Sequence, residues 1–288
     1  MNQTCNQWLS RCNRQLMRLS FLALTGILLM PLWASAQGNL LITPRRIVFE
    51  GNQSAQEINL ANTGQDTAVY SVSFVQYQMN EDGSFTEIDV PAEGQLFADK
   101  FLRYFPRTVT LAPGEAQMVR MQLRRTSDFT DGEYRSHLYF RAVPQERPLG
   151  LDDELTDTTA IGIRITPIFG ITIPVIIRSG DLEANVTIDN MSLEPITDST
   201  ATLHLTFNRT GNRSVFGDIT VDYDPASGKT TQVGLVRGVA VYTPNQRRDF
   251  KMELKYPAGF KGGKLVVKYS GAEENDKNML AEKAMIVE

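Results

Sequence analysis

The chain has 288 residues, of which 42% are hydrophobic and 22% are charged, and its formal net charge is −4. This balance is typical of a globular protein and excludes a disordered, collagen-like or multi-span membrane chain. The acidic charge also argues against a nucleic-acid binder, which normally presents a basic surface. Both cysteines, Cys5 and Cys12, lie near the start of the chain. The rest of the chain therefore has no disulfide framework and no cysteine-based metal site.

Residues 1–36 have the three parts of a secretory signal peptide. A basic segment with three arginines precedes an apolar run at 19–33, which is followed by Ala34, Ser35 and Ala36. This order of basic, apolar and small residues is typical of a cleaved export signal. The apolar run has 15 residues, whereas a helix needs ~20 to cross a bilayer. We expect cleavage after Ala36, export without stable membrane insertion, and an uncleaved anchor as the alternative.

The sequence after residue 36 predicts two sets of β-strands. Short runs rich in Val, Ile, Thr, Phe and Tyr alternate with Gly, Pro, Asn and Asp clusters, as in sandwiches and barrels. A break at 178–181 separates the sets, and each is long enough for one β-sandwich. We therefore predict domains at 37–178 and at 181–288, the second being smaller. The predicted strands are 46–50, 57–60, 69–77, 119–123, 134–143, 184–188, 202–207, 218–223, 233–242, 250–256, 264–269 and 281–287.

An unusually long alternating segment ends the first set. In residues 161–178, eight of the nine odd positions are apolar, so one face of an extended strand would be apolar. Eighteen residues at ~3.3 Å each would reach ~60 Å, about three times a usual strand. Two interpretations remain: the strand bends between sheets at Pro167, Gly170 and Pro174 as part of the core, or part of its face is uncovered. An uncovered apolar edge in an exported protein would be a candidate binding surface.

Sequence motifs give no support for catalysis. The two histidines, His137 and His204, are isolated, and neither H-E-x-x-H nor G-x-S-x-G occurs. The sequence at 228–230 resembles the end of a phosphate-binding loop, but Tyr223 occupies the position of the upstream glycine. The acidic run at 152–157 lacks the glycine and ligand spacing of an EF-hand. We predict a protein that is not an enzyme and has no cofactor, catalytic residue or metal site.

Several segments, in order and spacing, carry a resemblance to a known family. They are 44–51 (PRRIVFEG), 59–64 (NLANTG), 111–114 (LAPG) with Gln117 and Arg120, and 134–140 (YRSHLYF) before Pro144. Over about 40–178 the chain resembles the periplasmic pilus-assembly chaperones, the PapD-like family. The resemblance implies an all-β fold of two immunoglobulin-like β-sandwich domains after the signal peptide, and a periplasmic location.

The resemblance also implies a function that needs no nucleotide. Chaperones of this family lend a long strand to a pilus subunit whose own sandwich lacks one. Alternate apolar residues then fill the groove of the subunit, and the donor face in this chain would be Ile161, Ile163, Ile165 and Phe169. The implied partners are exported pilus or fimbrial subunits and an outer-membrane usher, and a homodimer could cap the exposed strands.

In this family a basic pair in the interdomain cleft grips the C-terminal carboxylate of the subunit. Arg46 matches the arginine of that pair, whereas Pro174 stands at the position of its lysine partner. Arg178 and Arg45 are the nearest candidates to complete the carboxylate anchor. A charge-assisted bond from arginine to a carboxylate is the physical basis of such a grip.

The alternative function is a non-enzymatic, immunoglobulin-like envelope or cell-surface protein that is itself structural or adhesive. In that case the long strand is buried as core. The segment 134–143 also has a structural interpretation. Tyr134 follows Asp131 and Gly132 as in a tyrosine corner, and Leu138 and Phe140 share its face and should belong to the core. Arg135, His137, Tyr139 and Arg141 would then point the other way, and we expect His137 to lie on the surface.

Overall fold

The computed structural model describes residues 40–144, 168–256, 259–273 and 277–287. The predicted signal peptide and three of the four predicted donor residues, Ile161, Ile163 and Ile165, lie outside these ranges. Within them, no helix has the length and apolar character needed to cross a membrane.

The first half of the described chain forms two facing sheets and a hairpin. The strand orders are β1-β3-β9-β7 in one sheet, β2-β11-β10-β4-β8 in the other, and β5-β6 in the hairpin. A short 3₁₀ turn at Asp99–Phe101 precedes β7. The strands are β1 (Leu40–Thr43), β2 (Ile47–Phe49), β3 (Ala55–Asn62), β4 (Ala68–Val75), β5 (Tyr77–Met79), β6 (Phe85–Glu87), β7 (Leu102–Phe105), β8 (Thr108–Leu111), β9 (Ala116–Leu123), β10 (Gly132–Val143) and β11 (Gly170–Ser179).

The second half is another pair of sheets, with orders β12-β13-β16 and β15-β14-β17-β18. Each half has its own apolar core, one drawn from residues between 40 and 177 and the other from residues between 186 and 287. The strands are β12 (Ala184–Pro195), β13 (Thr200–Gly211), β14 (Val215–Asp224), β15 (Thr231–Val241), β16 (Arg247–Lys255), β17 (Gly263–Gly271) and β18 (Met279–Val287).

Alternation along β10 and β11 explains why these strands form the centre of the first sandwich. Leu138 and Phe140 of β10 are fully buried in the core, together with Val175 and Ile177 of β11. These residues are two apart on each strand, so one face of the sheet is apolar. The Tyr134 hydroxyl donates to the carbonyl oxygen of Thr130 at 2.9 Å, which confirms the tyrosine corner.

The all-β fold of two sandwiches predicted from the sequence is confirmed. Four short strands, β1, β6, β7 and β8, lie outside the strand runs named from the sequence, and β5 shares only Tyr77 with them; each has three or four residues. A run this short shows hardly one full alternation, and β6 is exposed along its whole length. Such strands give no periodic signal because a pattern with period two needs several residues to stand out.

The start of the described chain crosses between the two sheets. Strand β1 pairs with β3 in the four-stranded sheet, whereas β2 pairs in parallel with β11 in the other sheet. The crossing segment contains Arg46, which therefore lies directly before β2. Strand β2 pairs with β11 only at residues 175–177. Among the described residues, nothing pairs with the outer edge of β11 from 170 to 174.

Candidate functional site

The second face of the five-stranded sheet meets the second sandwich. A small apolar cluster marks this seam, in which Ile176 of β11 and Met79 of the hairpin pack with Ala240 and Tyr242. Since Ile176 alternates with the core residues of β11, it points away from the first core and toward the second sandwich. Charged side chains lie around this cluster, and they divide into a paired group and an unpaired group.

The paired group is centred on Glu133, whose side chain is fully buried. The Arg178 Nε donates to the Glu133 Oε2 at 3.1 Å. The backbone N–H of Ser214 donates to both carboxylate oxygens at 3.1 Å, and its hydroxyl donates to the Oε1. The Thr243 hydroxyl is the fourth donor, at 3.2 Å. Because Glu133 belongs to the first sandwich and Ser214 and Thr243 to the second, these bonds join the two halves.

Glu273 extends the paired group toward the solvent. The Arg178 Nη1 and Nη2 donate to the two Glu273 oxygens at 2.7 and 2.9 Å. Arg46 and Arg213 donate to the same carboxylate at 3.1 and 3.2 Å. Burial by itself would raise the pKa of Glu273, but the hydrogen bonds from Arg178 and the charges of the three arginines lower it to about 2. The carboxylate is therefore ionised at neutral pH, and it holds three arginines together.

The unpaired group consists of Arg135, which lies over the ring of Tyr242, and of His137. Arg46 contacts the same tyrosine ring but is paired with Glu273. The Arg46 Nη1 donates to the Tyr242 hydroxyl at 2.9 Å. The Arg135 guanidinium carbon lies 4.2 Å from the centroid of the same ring, within the range of a cation–π contact. Burial, with a smaller contribution from the charge of Arg46, lowers the pKa of Arg135 to about 10, although Tyr242 and Glu133 act in the opposite direction. Arg135 is thus still a cation at neutral pH, but it is a buried one with little compensation.

His137 is buried, so the expectation of a surface histidine was wrong. Its ring meets the rings of Tyr77 and Phe85 edge to face, at centroid distances of 5.1 and 5.5 Å. Burial lowers the pKa of His137 to about 3, with the charges of Arg135 and Arg46 acting in the same direction. The residue does point away from the first core, but the β5–β6 hairpin covers that face.

The β5–β6 hairpin reaches across the seam to the second sandwich. The Asn245 Nδ2 donates to the Met79 carbonyl oxygen at 2.8 Å, and the Asp249 N–H donates to the Glu81 carbonyl oxygen at 2.7 Å. The ring of Phe85 lies 6.3 Å from that of Tyr242. The β5–β6 hairpin therefore covers the unpaired group.

The free edge of β11 is the second feature of the site. Its core-facing alternation continues past the end of the sandwich: Ile173 is buried, whereas Ile171 and Phe169 are 37% and 46% exposed. The Ala142 N–H still donates to the Phe169 carbonyl oxygen at 2.8 Å, so Phe169 keeps its place beside β10. This part of the long alternating face is uncovered, as one of the two sequence interpretations required. The remainder of that face lies outside the described residues.

The predicted anchor residues have three different environments. Arg46 lies at the seam with only about a tenth of its side chain exposed. Arg178 is fully engaged by Glu133 and Glu273, and Arg45 is exposed. Pro174 pairs across the sheet with His137, so no cation stands at that position of β11.

Sequence reasoning missed three charged residues at the seam, namely Glu133, Arg135 and Glu273. The first two alternate with core residues of β10, and this alternation correctly predicted that Arg135 points away from the core. Nothing in the pattern indicated that a second sandwich covers that face. Across the described ranges, no group of three or more histidine, cysteine or acidic residues is placed to hold a metal ion.

Comparisons with known proteins find similarity only among solved structures. No protein-family model matches the chain, and no curated protein sequence matches it. One similar chain comes from the CsuC–CsuE chaperone–tip subunit pre-assembly complex of the Csu pili of Acinetobacter baumannii, with 12% identity over 86% of this chain and 98% of that one, and a TM-score of 0.45. Another is the YadV chaperone, with 14% identity over 87% and 100% of the two chains and a TM-score of 0.43.

A third similar chain comes from the complex of the Salmonella enterica SafA pilin with the SafB chaperone. It is 11% identical over 88% of this chain and 99% of that one, with a TM-score of 0.42. Five other similar structures contain chaperones as well, two of them from fimbrial systems. These chains are similar to this one over most of its length, at identities of 14% or less.

Proposed function

We propose that this protein is a periplasmic chaperone that binds exported pilus or fimbrial subunits by lending them the free edge of β11. One observation carries the proposal: the outer edge of β11 is unpaired from 170 to 174 among the described residues, and it exposes Ile171 and Phe169. An open apolar edge is an aggregation hazard that proteins normally cover. Its presence in an exported chain is therefore explained best by a partner that occupies it.

Strand addition combines two kinds of contact. Main-chain hydrogen bonds to the open edge supply affinity, and pockets for alternate side chains supply selectivity. Phe169 and Ile171 are two residues apart on the same face of β11, and the sequence continues that spacing at Ile161, Ile163 and Ile165. A subunit with a groove of matching pockets would bury this row. The exchange of one strand for another between folded partners needs no nucleotide, catalytic residue or cofactor.

Arg46 supplies the second contact with the subunit. It lies directly before β2, which is the strand that closes the lower part of the β11 edge. A subunit strand that pairs with residues 170–174 would end beside β2 and hence beside Arg46. We therefore propose Arg46 as the anchor for the C-terminal carboxylate of the subunit, through charge-assisted hydrogen bonds. Delivery to an outer-membrane usher would follow from the same function.

The proposal is tested by recovering subunits from the periplasm with a C-terminally tagged chain. We compare wild type with the double variant Phe169→Asp/Ile171→Asp and with Ile163→Asp/Ile165→Asp. The matched control is Phe105→Asp, because Phe105 is 77% exposed in the same sandwich but far from this edge in the sheet order. We expect a small exported subunit to co-purify one-to-one with wild type and the control, and to be lost with both double variants while their unfolding midpoints stay unchanged.

Three outcomes would contradict the proposal. A subunit retained at full yield by both double variants would show that the edge is not the donor. Recovery of a lone monomer from a strain that makes surface fibres would favour the envelope-structural alternative. A homodimer in light scattering that the double variants abolish, with no subunit bound, would assign the edge to self-pairing.

A further inference from the structure

His137 is a buried titratable side chain with an unpaired ring nitrogen. It is 5% exposed, and its Nδ1 is buried without a hydrogen-bond partner among the described residues. In the protonated imidazolium both ring nitrogens are donors. Protonation in place would therefore bury a charge and leave the Nδ1–H without an acceptor, which is strongly unfavourable.

The groups around His137 do not compensate a positive charge. Arg135 lies on the same face of β10, Arg46 lies before β2, and both cations oppose protonation. The cross-strand neighbours Pro174 and Val75 carry no charge. Burial and the two cations together lower the pKa of His137 to about 3. The other titratable groups on the elements packed here are Glu133 and Tyr139 of β10, Tyr77 and Glu87 of the hairpin, and Tyr242 of the second sandwich.

The β5–β6 hairpin is the element that covers His137. The rings of Tyr77 on β5 and Phe85 on β6 contact the imidazole edge to face. Each strand of the hairpin has three residues, and in the described ranges the two strands pair only with each other. A two-stranded hairpin is marginally stable by itself. Its position over His137 therefore depends on its contacts with the rest of the protein.

The tip of the hairpin is held by the second sandwich. The Asn245 Nδ2 donates to the Met79 carbonyl oxygen at 2.8 Å, and the Asp249 N–H donates to the Glu81 carbonyl oxygen at 2.7 Å. The Met79 side chain is also buried in the apolar cluster of the seam. A segment held by a few contacts of this kind is a candidate for local opening without unfolding of the whole protein.

The base of the hairpin is held by the first sandwich. The Tyr77 carbonyl oxygen accepts from the Gln95 Nε2 at 2.9 Å and from the Arg135 Nη2 at 3.3 Å. Only Gln76 separates β5 from the end of β4. The tip can thus leave the second sandwich by rotation near this base, and such a movement would carry Phe85 away from His137.

We propose that His137 makes the contact of the β5–β6 hairpin with the second sandwich sensitive to acid, because the ring can take up a proton only when the tip of the hairpin leaves. In the open form water solvates the imidazolium and supplies the acceptor that Nδ1 lacks. The inference goes beyond the strand-donor function and does not depend on it.

Acid shifts the equilibrium between the closed and open forms in one direction. An exposed histidine has a pKa of about 6.5, against about 3 in the closed form. The closed form therefore binds fewer protons. Its advantage is complete above pH 6.5 and falls about tenfold for each pH unit below that value. From pH 7.5 to 4.5 the ratio of open to closed protein should rise about a hundredfold.

Two backbone amides report on the tip and the base of the hairpin separately. The Asp249 N–H donates to Glu81, so its hydrogen exchange requires the tip to leave. The Ile88 N–H donates to the Gln76 carbonyl oxygen at 3.0 Å, so it reports whether the base stays formed. We would measure both protection factors by NMR at pH 7.5 and 4.5, since exchange detects open forms that remain a small minority. We expect the protection factor of Asp249 to fall about a hundredfold and that of Ile88 to change much less.

The variants are His137→Phe and His137→Gln, with His204→Gln as the matched control. Phenylalanine keeps a ring against Tyr77 and Phe85, whereas glutamine keeps a polar group, and neither titrates in this pH range. His204 is an exposed histidine of the second sandwich, with 42% of its side chain accessible. We expect both His137 variants to lose the acid response of the Asp249 amide and His204→Gln to keep it. The carboxyl groups near the hairpin tip are present in every variant, so their titration cannot cause this difference.

Four results would overturn the proposal. The first is a protection factor of Asp249 in wild type that is equal at the two pH values. The second is a full acid response in a folded His137 variant; if circular dichroism shows one variant unfolded at pH 7.5, the other variant and the wild type decide. The third is uptake of a proton by His137 while the Asp249 amide stays protected. The fourth is an equal loss of protection in β10 and β14, which would mean that acid unfolds the whole chain.

Discussion

The seam between the sandwiches contains two buried arginines in opposite situations. Arg178 on β11 and Arg135 on β10 are 3% and 2% exposed, on adjacent strands and on the same face of the sheet. Burial would lower the pKa of Arg178, but its bonds to Glu273 and Glu133 outweigh burial and raise that pKa. For Arg135 burial dominates, and the pKa falls to about 10.

The difference shows that burial and residue type do not by themselves define the role of a charge. Arg178 has a carboxylate on each side, one of them from the second half of the chain, and thus fastens the two halves together. Arg135 has aromatic neighbours and a distant carbonyl, which hold it in place but do not neutralise it. The paired arginine therefore contributes to the contact between the two halves, whereas the unpaired one is a buried cation without an ion pair among the described residues.

The largest effect is expected from breaking the paired group with Arg178→Met. The change leaves Glu133 buried with a full charge and no cation, and Glu273 with two of its three arginines. Removal of one partner of a buried pair typically costs about 3–5 kcal/mol. We expect a loss of that size in the free energy of unfolding, measured with urea. Arg120→Met, at an exposed position of β9, is the control and should change it by less than about 0.5 kcal/mol. A loss below about 1 kcal/mol for Arg178→Met would contradict the structural role.

A smaller effect is expected in acid from Glu273→Gln. The pKa of Glu273 is about 2 in the folded protein, against an ordinary value of 4.5. A carboxyl whose pKa is depressed by folding contributes stability that is complete above about pH 4.5 and is lost as the pH falls toward 2. The shift corresponds to roughly 3 kcal/mol. We expect wild type to have a larger free energy of unfolding than the variant at pH 6, and this difference to decrease between pH 4.5 and 2. A difference that is constant with pH would mean that the charge of Glu273 does not cause it.

An effect of about 1 kcal/mol is expected where the hairpin is tied to the second half. Asn245→Ala removes the hydrogen bond to the Met79 carbonyl, and a neutral hydrogen bond typically contributes about 1 kcal/mol. Hydrogen exchange should then speed up in β5 and β6 but not in the core strands β10 and β14. Faster hydrogen exchange across the whole chain would mean that Asn245 supports the stability of the whole fold and not only the attachment of the β5–β6 hairpin.

The sequence predicted the core of the first sandwich because its signal is local. Period-two alternation along β10 placed Tyr134, Leu138 and Phe140 on the core face, and the structure confirms all three. The seam has no such signal. Whether Arg135 is buried depends on Tyr242, more than a hundred residues later, and whether Glu133 is paired depends on Ser214. Long-range packing of one sandwich on another leaves no period in either strand.

The carboxylate anchor illustrates the same limit. Arg46 was named from a strand motif, and the structure places it at the seam; its role as an anchor stays a prediction. Pro174 showed that a cation was missing from β11, but the search for a replacement stayed with the sequence neighbours Arg178 and Arg45. The structure places another buried cation, Arg135, on the adjacent strand, a relation that only the sheet register reveals.

The smallest signal is expected from His137, which should show no titration at all. Burial and the charges of Arg135 and Arg46 lower its pKa to about 3, so the ring remains neutral from pH 7.5 to 4.5 in the folded protein. Its NMR ring-proton signal should stay constant over that range, with His204→Gln used to assign it, since the chain has only two histidines. Because the unfolded chain binds a proton at that histidine near pH 6.5, the contribution of His137 to stability falls as the pH drops below 6.5. A titration midpoint of His137 near pH 6.5 in the folded protein would mean that the β5–β6 hairpin opens and that solvent reaches His137 and Arg135.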